Sequence, residues 1–227
     1  MLIFCVAISI FGMVLITIWT NTPPVGNENL SWRKPLVGFL FSFLCILGSL
    51  ASLFPRTCSE AFHFSGERMS EKHNHTPNVS HHPDCEGFSA HVVRIKGQAR
   101  CAACTGLLLG ATMALVGAFF YFSGLLRIMN PQFLSFVGII AVLLGFLQSK
   151  FRGYLRLISN SIFVLGALFC LVGVDQVSQS LANDLFTVML IVFWIFTRIE
   201  LSRWDHSRTC DNCEARCTFG RKMGDDG

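Results

Sequence analysis

The chain has 227 residues, of which 52% are hydrophobic and only 14% charged, with 22 phenylalanines and a net charge of +4. An average soluble domain carries about 25% charged residues, so this composition excludes an ordinary soluble globular protein. The small basic excess gives no footprint for direct nucleic-acid binding.

The apolar residues fall in blocks that are nearly free of charge: Met1 to Trp19, Leu36 to Phe54, Thr105 to Phe122, Phe133 to Leu147, Leu157 to Val174 and Leu185 to Ile199. A span of a bilayer takes about 20 apolar residues. The spacing predicts six transmembrane helices, because lipid satisfies no backbone hydrogen bond and the alternation of barrel strands is absent. The fourth block is short, with Pro131 placed to start its helix and Gln148 to finish it at the interface. The first block lacks the basic n-region and small-residue cleavage site of a signal peptide, so it is read as a retained helix.

The expected fold is therefore an all-α, polytopic transmembrane bundle. Residues 1–55 hold helices 1 and 2, 56–104 a Cys/His-rich loop, 105–199 helices 3 to 6, and 200–227 a Cys-rich tail. If the helices alternate, the long loop, the 148–156 loop, Arg198 and the tail collect 15 of the 18 Lys and Arg residues, leaving Arg33, Lys34 and Arg127 on the other side. The positive-inside rule then puts both termini and the long loop in the cytoplasm of a cell-membrane protein. Arg33-Lys34 opposes that orientation locally.

Packing signals are also present. Ala102, Gly106, Gly110, Ala114 and Ala118 recur every four residues in the third block, a small-residue stripe that permits close helix approach. The second block carries Ser42, Cys45, Ser49 and Ser52 on one face. Besides the lipid bilayer, the partner expected from the Gly106/Gly110/Ala114/Ala118 stripe is a second copy or another membrane protein. Cys5, Cys45 and Cys170 lie within apolar blocks and read as small buried hydrophobes.

The first four blocks contain no Asp, Glu, Lys, Arg or His, which disfavours a metal or proton pump. Asp175 and Asp184 flank a short loop, Arg198 and Glu200 stand at the inner end of the sixth block where Arg can snorkel to the interface, and Asn160 reads as a bond to a neighbouring helix.

Chemistry concentrates in the long loop, which holds six of the seven histidines, and in the tail. Its first part, with His73-Asn-His75 and His81-His82, reads as a weakly liganding polar surface. Its second part runs Asp84-Cys85-x5-His91-x5-Gly97-x3-Cys101-x2-Cys104-Thr-Gly106, with Val92, Val93 and Ile95 as a short extended stretch and Lys96-Gly97 as a turn. A Cys-x2-Cys turn supplies two thiolates to a tetrahedral ion, with Cys85, His91 or Cys58 completing the set, and zinc is the expected metal. The tail adds His206-x3-Cys210-x2-Cys213-x3-Cys217, either a second site or the other half of a joint one. In a reducing cytoplasm these thiols are not expected to form lasting disulfides.

The string from His91 through Cys101-Ala-Ala-Cys104-Thr-Gly106 to Gly110 resembles the signature of small prokaryotic multi-pass membrane proteins grouped as a domain of unknown function. The resemblance covers roughly residues 84–110, with Arg56-Thr-Cys58 as an upstream counterpart. It departs at Ala103, where a basic residue is expected, and has no equivalent of the tail cluster. It implies a shared cytoplasmic metal or thiol motif and no particular activity.

The leading expectation is a noncatalytic membrane protein with a structural or sensing zinc site. One alternative is a membrane thiol-disulfide oxidoreductase using Cys101 and Cys104, since a helix N-terminus stabilises a thiolate and Arg94, Lys96 and Arg100 lie close in sequence. Another is a helical subunit of a membrane complex. No phosphate loop, nucleophile elbow, His-Glu-x2-His helix or haem-attachment motif is present.

Overall fold

The computed structural model describes residues 2–22, 31–53, 91–95 and 98–211. Six α-helices occupy nearly all of that chain: α1 (Leu2–Asn21), α2 (Arg33–Leu53), α3 (Ala102–Phe122), α4 (Pro131–Phe146), α5 (Gly153–Ser178) and α6 (Leu181–Asp211). Two short strands, β1 (Val92–Ile95) and β2 (Gln98–Cys101), precede α3, and a 3-10 turn, Leu147–Lys150, extends α4. All six helices are long and apolar enough to cross a membrane. The chain is a multi-pass, all-α membrane bundle.

Each helix starts or stops for a local reason. At α4, Pro131 occupies the first turn, where its missing N–H costs nothing, and the Asn130 side chain accepts a hydrogen bond from the Phe133 N–H at 3.2 Å. α5 ends at Gln179, which takes the left-handed conformation (φ 48°) and permits the sharp reversal into α6. α6 is longer than its apolar block: 31 residues at 1.5 Å make about 46 Å, against roughly 30 Å of hydrocarbon. Its last turns therefore project beyond the bilayer, and the stretch 200–211, expected as tail, continues the helix.

α5 is the central element, with 67% of its apolar stretch buried. It packs most extensively against α4 and α3; α2 covers α3, while α1 lies against α6, α5 and α4. Small residues set these distances. Ala102, Gly106, Gly110, Ala114 and Ala118 are all buried on α3. A Cβ at Gly110 would lie 2.7 Å from the carbonyl oxygen of Ser161 on α5. On the opposite face of α5, Gly166 meets Gly138 of α4, where an added Cβ on either would stand 2.8 Å from the other's carbonyl oxygen. Lipid gives apolar side chains little reason to leave it for one another, so close backbone fit and interhelical hydrogen bonds must hold the helices. Ser161 Oγ donates to Gly106 O at 2.8 Å, and Ser159 Oγ donates to Leu144 O at 2.8 Å.

Within the chain, α5 meets the stripe at Gly106 and Gly110. On α2 the buried face is Val37, Gly38, Phe41 and Cys45, with Ser42 and Ser49 only half-buried. Cys5, Cys45 and Cys170 are buried, as their apolar surroundings suggested.

Candidate functional site

The antiparallel hairpin pairs Val92 with Cys101 and Ile95 with Gln98. Cys101 ends β2 and takes the cap position of α3, while Cys104 follows in the helix's first turn. The register sets the start of β1 opposite the end of β2, so His91, one residue before β1, comes back beside the two cysteines. Val93 is buried, and Tyr154 at the start of α5 donates its hydroxyl to the Arg94 carbonyl at 3.0 Å, tying the hairpin to the bundle.

A cavity of about 170 Å³ opens at this end of the bundle. His91, Cys101 and Cys104 line it from the hairpin and α3, and Arg156, Arg198 and Arg203 line it from α5 and α6. The Cys104 thiol shares a hydrogen bond with that of Cys101. His91 and Arg156 are 5% and 2% exposed. Arg156 donates to Asp205 at 2.9 Å, its other terminal nitrogen stands 3.4 Å from His91 Nε2, and His91 Nε2 lies 3.9 Å from Asp205. At 3.9 Å the imidazole and the carboxylate are neighbours and not a hydrogen-bonded pair.

Of the ligands expected from the sequence, the structure brings His91, Cys101 and Cys104 to one cavity. Cys58, Cys85, Cys213 and Cys217 lie outside the described residues; His206 and Cys210 fall on the backbone of α6 with their side chains outside what is described. Among the described residues no three of His, Cys, Asp or Glu are grouped closely enough to hold a metal ion. Two thiols and an imidazole are donor types zinc takes, and His91, Cys101 and Cys104 line one cavity without standing as such a group.

The arginines and Asp205 were not anticipated as site residues. Arg198 does not snorkel: it is 6% exposed, and its Nε donates to Asn160 Oδ1 at 2.9 Å and a terminal nitrogen to Gln148 Oε1 at 3.2 Å. Its guanidinium also lies over the Phe163 ring at 5.8 Å. Asn160 thus bonds a neighbouring helix, as expected of it. The signal for this wall was the spacing Arg198-x3-Ser202-x2-Asp205, which shares one helical face once α6 is carried past Ile199.

A second polar cluster lies at the opposite end. Arg33, at the start of α2, is 4% exposed and forms an ion pair with Asp184 on α6 and with Asp175 on α5, the latter at 3.0 Å. Tyr121 of α3 donates to Asp175 at 2.6 Å, and Lys34 stands 3.9 Å from the same carboxylate. Asp175 and Asp184, read from the sequence as loop flanks, are fully buried. The cluster also accounts for the basic pair that opposed the charge asymmetry, because Arg33 is matched by two acids.

No family model matches the chain, and neither a curated protein nor a solved structure matches it.

Proposed function

We propose that this is a multi-pass protein of a prokaryotic cell membrane whose hairpin end faces the cytoplasm and binds zinc through Cys101, Cys104 and His91, in a structural or sensing role. The observation that carries the reading is the hairpin register, which returns His91 to a Cys-x2-Cys pair at the start of a helix around one cavity. The fourth ligand would come from Cys58 or Cys85, with His206, Cys210, Cys213 and Cys217 as a second site or the other half of a joint one. The ion would pin the hairpin to α3, and Arg156 would hold the imidazole. The charge asymmetry supports the orientation, and the resemblance over residues 84–110 supports a shared motif with the prokaryotic proteins of unknown function.

Metal analysis of detergent-purified protein tests this. About one to two zinc ions per chain are expected, with loss of zinc and a lower unfolding temperature in Cys101→Ser/Cys104→Ser. Metal-free protein of unchanged stability would sink the reading.

One observation favours a second reading: the Cys101 and Cys104 thiols are in contact beside Arg198, as a reversible dithiol requires. An oxidoreductase would cycle a Cys101–Cys104 disulfide and lose activity in Cys101→Ser. Its weakness is burial, since Cys101 is only 9% exposed.

A further inference from the structure

Among the described residues the cavity at the hairpin end has three guanidinium groups on its wall and no carboxylate. Two of them are matched elsewhere: Arg156 by Asp205 behind the wall, and Arg203 by Glu200 at 3.0 Å on the surface. Arg198 is different. Its hydrogen bonds go to the amide oxygens of Asn160 and Gln148, and it has no carboxylate partner among the described residues. A buried charge held by amide dipoles and the Phe163 ring, without a carboxylate, is costly, and within a membrane bundle such a group marks a binding site by default. Arg156 adds an independent sign, because its Nε is buried without a hydrogen-bond partner among the described residues.

We propose that this cavity binds a phosphate-bearing anion, with Arg198 and Arg156 as buried donors and Arg203 and Ser202 nearer the surface. Asn160 and Gln148 take the Nε and one terminal nitrogen of Arg198, so its other terminal nitrogen, with Arg156 Nε, is left to donate to phosphate oxygens. A volume of about 170 Å³ accommodates one phosphate and its nearest substituents. Leu107 and Ile199 give the same cavity an apolar portion, suited to the start of a phospholipid's acyl chains. The ligand is therefore the phosphodiester of an anionic lipid headgroup or a soluble phosphate. The inference goes beyond the zinc reading and does not rest on it, since its donors lie on α5 and α6 and the thiols on α3.

The test measures unfolding of the full chain in neutral detergent at constant ionic strength, titrated with inorganic phosphate, phosphatidylglycerol or phosphatidylcholine. A rise in unfolding temperature with phosphatidylglycerol alone identifies a headgroup; a rise with inorganic phosphate identifies a free anion; either supports the proposal. Arg198→Gln should weaken the response about ten- to a hundredfold, the loss expected for charged hydrogen bonds. Arg203→Gln alters an exposed residue, so it should fold normally and weaken the response less. Wild-type protein that is metal-free as purified and still responds would sink the zinc reading alone and leave this proposal standing. The proposal is overturned by no rise above a chloride control, or by an equal rise in wild type and both arginine variants.

Discussion

Gly110→Ala adds one methyl group at the α3–α5 contact. The new Cβ would stand 2.7 Å from the Ser161 carbonyl oxygen and 2.8 Å from its Cα, while ordinary contact begins at 3.4 Å. Both atoms belong to the α5 backbone, so no rotamer change relieves the clash; the helices must part by about 0.7 Å, the difference between those distances. α5 has little room to retreat, because Gly166 on its other face is already packed on Gly138 of α4. Overpacking of this kind costs about 1–3 kcal/mol. Separation also stretches the 2.8 Å bond from Ser161 to Gly106, worth about 0.5–1.5 kcal/mol. The expected loss is about 2–4 kcal/mol, roughly 30- to 700-fold in the folding equilibrium constant. Reversible unfolding in bicelles, followed by circular dichroism, measures it. Gly48→Ala is the control, since nothing lies within 4 Å of a Cβ there. If Gly110→Ala falls within about 0.5 kcal/mol of that control, the reading of a backbone-limited contact is wrong.

The same assay bears on the buried ionic cluster. Arg33→Gln leaves Asp175 and Asp184 without their guanidinium and should destabilise by about 3–5 kcal/mol, with part of the loss recovered in Arg33→Gln/Asp184→Asn; a wild-type stability for the single variant would refute the cluster's role. Orientation is read by a membrane-impermeant maleimide on intact cells: Arg127→Cys should label above the wild-type background and Arg152→Cys should not, and the reverse pattern would invert the proposed topology.

Much of the bundle was legible because the bilayer imposes it. A fixed hydrocarbon thickness demands runs of about 20 uncharged residues, and six such runs need no knowledge of packing to be counted. Pro131 marked the start of α4 by its fixed backbone angle, and Val92-Val93-x-Ile95 marked β1 by its branched residues. The second strand was missed: Gln98-Ala99-Arg100-Cys101 has no branched or aromatic residue, and only its pairing to β1 makes it a strand. The end of α6 was missed because 200–211 is polar, and the signal used was apolar length.

What the tertiary structure alone decided was which surfaces meet. A small-residue stripe reports that something approaches closely, and its chemistry is the same whether the neighbour is α5 or another chain; only the fold shows Ser161 against Gly110. Charged residues near helix ends were read as solvated, since in sequence an Arg at the end of a span has water within reach. Arg198 turns inward to Asn160 and Gln148, and Arg33 to Asp175 and Asp184, because residues up to 151 positions apart supply partners that no local pattern encodes. The Cys-x2-Cys pair was visible as a pair of soft ligands from the start. Its cavity, with His91 on one wall and three arginines on the other, exists only where the hairpin, α3, α5 and α6 come together.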